Sequence, residues 1–298
     1  MKHQPVLLKE VLQALDIQAN ETYVDLTLGR AGHSEKILEG LTTGLLVAFD
    51  KDQEAIEESS LYLSKRFTNF HLVHADFQNI EQELKKLKIE SVKGILIDLG
   101  VSSPQLDAAE RGFSYNKNAR LDMRMNKDQD LDAHFIVNNY SEVQLVNIFK
   151  TYADVKLPQK VAKSIIENRP INTTLELVEI IKHSLPAYLV RQKNPAKAVF
   201  QALRVEVNNE LESLKKMLKD SLQFLTKNSK LAIITFHSIE DRIVKNFFGN
   251  LIKGVHHHKL PILEEKQWKV KVYNPSAAEI LENPRSRSAK LRVLTKLF

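Results

Sequence analysis

The chain has 298 residues, 43% of them hydrophobic, and its 43 Lys and Arg against 37 Asp and Glu leave a formal net charge of +6. It contains no cysteine, which excludes thiolate nucleophiles, disulfides, cysteine-ligated zinc and iron–sulfur clusters. A chain of this length buries a substantial core in one large domain or two, no apolar run reaches the about 18 residues of a membrane span, and the small basic excess favours a polyanionic partner without identifying one. The start Met1-Lys-His-Gln-Pro5 lacks the apolar centre of a signal peptide, so a cytoplasmic protein with no membrane association is expected.

Hydrophobic periodicity predicts a helix over Val6–Leu15, a strand over Tyr23–Leu26, a helix from His33 to about Leu41 and a strand over Leu45–Phe49. The alternation continues with a helix over Gln53–Arg66, a strand over Phe70–His74, a helix over Ile80–Leu87 and a strand over Gly94–Leu99 that reads as buried on both faces. This is the grammar of a parallel sheet with right-handed crossovers. After Pro104 it stops: up to about Asn194 only helical stretches stand out, such as Glu142–Tyr152, Lys160–Glu167 and Leu175–His183. Alternation resumes with a helical stretch from Ala196 to about Leu218, a strand over Leu231–Phe236, a helix over Ile239–Leu251 and a strand over Leu291–Lys296. The expected architecture is therefore α/β, a Rossmann-like sheet of residues 1–105 and 195–298 interrupted by a helical domain of residues 106–194. His256-His257-His258 reads as a surface loop, since three consecutive histidines cannot face one metal without strain, and no metal site is expected.

Four acids, Asp25, Asp50, Asp76 and Asp98, each close a short apolar run. In an open α/β sheet the ligand sits beyond the carboxyl ends of the strands, so four such acids converge on one pocket. Singly, each reads equally well as the N-cap of the next helix. Asp50 lies roughly twenty residues beyond the Gly29-x-x-Gly32 turn, where a carboxylate accepts hydrogen bonds from ribose hydroxyls, an arrangement shared by NAD and S-adenosylmethionine enzymes. The full Gly-x-Gly-x-x-Gly that brings backbone to a pyrophosphate is missing, which is no handicap for S-adenosylmethionine. Asp76-Phe77 favours it too, an acid for the adenine amino group beside a ring to pack on it. The absence of cysteine then excludes both thiol attack on C6 of a pyrimidine and radical use of that cofactor.

The fourth strand end reads Asp98-Leu-Gly-Val-Ser102-Ser103-Pro104-Gln105-Leu106-Asp107. Amino-methyltransferases place Asn, Asp or Ser followed by Pro here, and Ser103-Pro104 resembles the serine version, although an isolated Ser-Pro is also a common turn. A cytosine amine is a weak nucleophile, so placement and electrostatics must carry its methylation. Asp98, Ser103 and Pro104 are the candidate catalytic residues. Leu106 stands where an aromatic is usual, and Phe113 or Tyr115 is the alternative stacking face.

Long segments resemble the bacterial MraW family of small-subunit ribosomal RNA methyltransferases. They are His3–Glu10, the Asp25–Ser34 loop, Asp98–Asp107, Glu110-Arg-Gly-Phe113, Leu121-Asp-Met-Arg-Met125, Phe200-Gln-Ala-Leu-Arg204, Val207-Asn-Asn-Glu210, Phe236-His-Ser-Ile-Glu-Asp-Arg242 and Asn283-Pro-Arg-Ser-Arg-Ser288. The resemblance implies N4-methylation of a cytidine in the decoding region of small-subunit ribosomal RNA, within an assembled or assembling 30S subunit, with S-adenosylmethionine and a helical substrate-recognition insertion in a Rossmann-like core. It places cofactor contacts at Gly29, Ala31, Gly32, His33, Asp50, Phe77, Asp98 and Gln105. Two departures stand out. The family has glycine where Ala31 stands, so its methyl group matters if that residue needs a positive φ, and the Lys150–Val155 segment differs from the family's Tyr-Gly-Glu followed by an acid.

Arg285, Arg287, Lys290 and Arg292 are candidates for phosphate contact near Phe236-His237-Ser238. Asp122-Met-Arg124 and Glu240-Asp-Arg242 read equally as phosphate contacts or as buried ion pairs bracing the insertion against the core; Arg242 reads as structural and Arg124 is left open. Two other classes stay open on residues alone: a Rossmann-type NAD-dependent oxidoreductase, and a non-catalytic RNA-binding protein that retains the cofactor. The oligomeric state is left open, a homodimer included.

Overall fold

The computed structural model describes residues 5–253 and 267–298; the His256-His257-His258 run lies outside them. Its strands are β1 (Tyr23–Asp25), β2 (Leu46–Asp50), β3 (Phe70–His74), β4 (Val92–Asp98), β5 (Leu225–Thr235), β6 (Trp268–Tyr273) and β7 (Lys290–Lys296). They form one sheet in the order β3-β2-β1-β4-β5-β7-β6. Strands β1 to β5 run parallel, while β7 pairs antiparallel with both β5 and β6. The order reverses between β1 and β4, which is where a doubly wound sheet opens its ligand crevice.

Side chains of the central strands alternate between two apolar layers because the strand period is two. Val47 and Phe49 of β2, with Ile95 and Ile97 of β4, enter one layer with Leu84, Leu214, Met217, Val244 and Phe248. Leu46, Ala48 and Leu96 point the other way, onto Val11, Leu15, Ile37, Leu38 and Leu63. Helices Ile80–Lys86, Glu210–Ser221 and Ser238–Lys253 thus cover one face, and Leu8–Leu15, Gly32–Glu39 and Gln53–Leu63 the other. A parallel sheet covered on both faces explains why its strands read as continuous apolar runs.

The chain divides into two compact units, one of Met1–Gly100 with Glu212–Phe298 and one of Val101–Leu211. The second is built on helices Ala133–Asn139, Glu142–Thr151, Pro158–Glu167, Thr174–Ser184 and Ala196–Asn208 around a core of its own. Its hydrogen-bonded caps are local and readable: Ser141 with Gln144, and Thr173 with Glu176, close capping boxes.

Three features differ from the sequence expectation. Residues 195–211 do not belong with the sheet: Ala196, Val199, Phe200, Leu203 and Val207 lie in the apolar core of the helical unit. The single helix expected over Ala196–Leu218 is two, broken at Asn209 with φ 50°, a left-handed conformation that asparagine adopts more readily than most residues. Strand β6 is not expected from the sequence, because it is an edge strand whose residues, apart from buried Trp268, are at most partly covered.

Candidate functional site

The carboxyl ends of β1, β2 and β4 present three acids, each held differently. Asp25, 1% exposed, accepts hydrogen bonds from the Ser34 hydroxyl at 2.7 Å and the Thr27 amide at 3.1 Å. Burial raises its pKa above the usual carboxylate range despite those donors. The Asp50 carboxylate accepts from the amides of Gly29 at 2.8 Å and Asp52 at 2.9 Å. Burial pushes its pKa up to about 6. Asp98 donates its own amide hydrogen to Thr27 Oγ1 at 2.7 Å, but its Oδ1 is buried and accepts no hydrogen bond among the described residues. Surrounding protein, and then the charges of Asp25 and Glu240, raise the Asp98 pKa well above the ordinary value.

The loop after β1 is shaped by backbone conformation. Gly29 has φ +49° and Ala31 φ 60°. Ala31 therefore adopts the left-handed conformation at which the methyl group costs energy, just ahead of helix Gly32–Glu39, and it is fully buried. Gly32 is required sterically: a Cβ there would stand 2.5 Å from Pro5 Cγ. His33 follows, 6% exposed, its Nε2 donating to the Val6 carbonyl at 3.0 Å and its Nδ1 3.8 Å from Asp98 Oδ2. Gly29, Ala31, Gly32, His33, Asp50 and Asp98 are thus drawn to one edge of the sheet by β1, β2, β4 and the loop that Asp50 and Ser59 hold through the Gly29 amide and carbonyl.

Asp76 turns out to be occupied structurally. Its Oδ1 caps the short helix Phe77–Asn79 through the Gln78 amide at 3.0 Å, and its Oδ2 lies 3.3 Å from Lys51 Nζ and 3.4 Å from the Ser213 hydroxyl. Phe77 packs partly against the sheet's apolar layer. Ser103, Pro104 and Gln105 belong to the other unit, in its first helix, Ser103–Asp107. There Gln105, 7% exposed, closes a capping box: its Oε1 accepts from the Ser102 amide at 3.0 Å. Phe113 is 5% exposed in the helical core, so burial removes it as a stacking face, and Tyr115 meets the ring of Phe200 edge-on at 5.9 Å.

Glu240, expected from its motif to brace the fold through an ion pair, is a buried acid at the same sheet edge. It is 2% exposed and accepts from the amides of Phe236 at 2.8 Å and His237 at 3.2 Å, while its own amide donates to His237 Nδ1. This is a capping box with histidine at the N-cap of helix Ser238–Lys253, which the sequence pattern does not announce because serine or threonine is the usual partner. The partners expected for Glu240-Asp-Arg242 change accordingly. Asp241 binds Arg292 at 2.7 Å and Lys290 at 3.2 Å, so those two cations are engaged internally. Arg242 is exposed.

The family-like segments of the helical unit hold its loops together. Arg124 grips Asp122 through Nε at 2.9 Å and Nη2 at 2.8 Å and donates to the carbonyls of Lys127 and Gln129. Buried Arg111 donates to the carbonyls of Arg124 and Met125. Asn208, 3% exposed, accepts from the Met125 amide and donates to the carbonyls of Met123 and Arg204. Arg204 forms a two-pronged pair with Glu210 at 2.7 and 2.8 Å.

The model of the MraW methylase family matches residues 1–297. The chain is 63% identical to ribosomal RNA small subunit methyltransferase H of Mycoplasmopsis agalactiae, over 100% of this chain and 99% of that one. It is 56% identical to the protein of the same name from Mycoplasma mobile, over 99% and 98% of the two chains. Among solved structures it is similar to an rRNA methylase from Streptococcus thermophilus, with a TM-score of 0.44 and 14% identity over 100% of this chain and 99% of the other. A family model spanning essentially the whole chain, with relatives this similar end to end, decides the assignment: the chain belongs to the MraW methylase family.

Proposed function

We propose that the chain transfers the methyl group of S-adenosylmethionine to the N4 amine of one cytidine in the decoding region of small-subunit ribosomal RNA, acting on an assembled or assembling 30S subunit in the cytoplasm. Membership of the methylase family and the naming of its relatives support methylation of ribosomal RNA. The observation that carries the reading to a particular place is the unclaimed acceptor Asp98 Oδ1 at the sheet's switch point, on the same edge as buried Asp25 and half-buried Asp50. The residues fit this cofactor. Gly29 and Ala31 hold positive φ in the loop after β1, and the Asp50 carboxylate, which accepts one amide on each oxygen, keeps a second lone pair on each for ribose hydroxyls. Gly29, Ala31, Gly32 and His33 would line the cofactor, with Phe77 at its adenine and Gln105 as a further contact.

The bound sulfonium supplies an electrophilic methyl group. The chain supplies placement: Asp98 accepts a hydrogen bond from the target amine, and Ser103, followed by Pro104, orients the base. The proton that the methylated amine sheds would pass to water, with Asp98 keeping the nitrogen oriented. The base must be unpaired or flipped, because a stacked amine cannot reach the methyl group in line. Nucleoside mass spectrometry on unmodified small subunits incubated with the protein and S-adenosylmethionine tests this. N4-methylcytidine at one position is expected; no new methyl group, with cofactor binding shown separately, or a methyl group on another atom, overturns it.

A further inference from the structure

Beside the acid site, at the carboxyl end of β5, a cleft of about 460 Å³ is lined by residues of Thr235–Asn246 together with Ser288 and Lys290. Strand β5 is the hydrogen-bonded neighbour of β4, with Ile234 in register with Asp98. Phe236, which lines the cleft, lies 3.8 Å from where a Cβ on Gly100 would stand. The cleft therefore opens on the same edge of the sheet as the acids, about one strand spacing from Asp98.

Its charges fall into two sets. Asp241 would repel an anion, but Arg292 and Lys290 already neutralise it. Glu240 is buried beneath the turn and does not line the cleft. Arg242 and Lys245 are different: both are exposed, both line the cleft, and neither has a hydrogen bond or ion pair among the described residues. Three residues apart on the helix Ser238–Lys253, they share one face. Two uncommitted cations beside hydroxyls at Ser238 and Ser288 match a phosphate group, and the flat fork of an arginine binds phosphate through paired hydrogen bonds.

We propose that Arg242 and Lys245 form a subsite for a backbone phosphate of the RNA substrate, holding the strand so that the target base reaches the neighbouring acid site. The assignment rests on the RNA reading given above and moves the positioning role from Lys290 and Arg292, which brace Asp241, to the two free cations. Both are positioning residues, since they contact the strand and not the reacting atoms.

The test compares three full-length proteins: wild type, Arg242→Gln/Lys245→Gln, and a control that loses the same charge elsewhere on the surface, Lys65→Gln/Lys219→Gln. Binding to an unmodified transcript of the decoding region is measured across a salt series, alongside calorimetric binding of S-adenosylmethionine and methylation kinetics on small subunits. For the cleft variant we expect transcript affinity to fall about tenfold or more at low salt. The slope of log affinity against log salt should shrink by about 1.4, two contacts at about 0.7 each. KM for subunits should rise with kcat and cofactor affinity kept. A cleft variant that matches the control, or a wild type that does not bind the transcript, overturns the subsite. A loss seen with subunits but not with the transcript assigns the cleft to an acidic protein surface and also overturns it. The reading of the reaction falls on a different result, the absence of N4-methylcytidine in wild-type-treated subunits.

Discussion

At the strand ends Asp98 Oδ1 is buried with no hydrogen bond among the described residues, and Asp50 is left with a pKa near 6. In the helical unit Asn208 satisfies an amide and two carbonyls at once, Arg124 holds Asp122 with a double hydrogen bond, and Arg204 does the same for Glu210. Both regions carry long family-like motifs, yet one leaves polar groups wanting partners and the other leaves almost none. Buried polar groups are normally satisfied, so an exception needs a reason. At the sheet edge, the proposed cofactor or target amine would supply it; in the helical unit, the motifs tie distant loops together.

The largest effect should come from the satisfied region. Arg204→Ala leaves the Glu210 carboxylate, 8% exposed, without its partner, and urea unfolding should show a loss of about 3–5 kcal/mol. A loss below about 1 kcal/mol would break the contrast from that side. At the sheet edge Asp98→Asn should do the opposite: methyl transfer falls roughly 10²-fold, while stability at pH 7 is kept, because a neutral amide replaces a crowded carboxylate. Unfolding at lower denaturant with unchanged turnover would show Asp98 to be architectural.

The pH dependence sharpens the contrast through its sign. The pKa of Asp50 is about 6 when folded against 3.8 as a free group, so between those values the folded state holds more protons than the unfolded one. Its contribution to unfolding free energy must then decline as pH rises from about 4 to about 6, by about 1–3 kcal/mol. Asp122 and Asp241 have pKa values held low by Arg124 and by Arg292 with Lys290 respectively. Their stabilisation is present above about pH 4 and is lost as pH falls through their folded values. Carboxyl NMR titration separates the two sets, and an Asp50 that titrates near 4 would remove the sheet-edge half of the comparison.

The smallest effect concerns the loop. Ala31→Gly relieves a methyl group held at φ 60° but frees the unfolded chain, so thermal unfolding should show a gain of at most about 1 kcal/mol. A clear destabilisation would mean that the buried methyl contributes more to packing than its conformation costs.

Much of this was readable from the chain alone. Apolar strands ending in Asp25, Asp50 and Asp98, separated by amphipathic helices, follow from local periodicity, and so do Ser-x-x-Gln and Thr-x-x-Glu caps. The positive φ of Ala31 could be posed as a question from the glycine it replaces. What the chain could not disclose was partnership over distance. Whether residues 195–211 join the sheet or the helical core depends on which apolar surface accepts Val199, Phe200 and Leu203. Whether Asp76 faces a ligand or caps Phe77–Asn79 beside Lys51 depends on the local turn together with side chains brought from elsewhere. Arg242 and Arg292 carry the same charge in sequence, and only the antiparallel pairing of β7 with β5 delivers Arg292 to Asp241 and leaves Arg242 facing solvent. Periodicity is a property of neighbours in the chain; charge compensation is settled by neighbours in space.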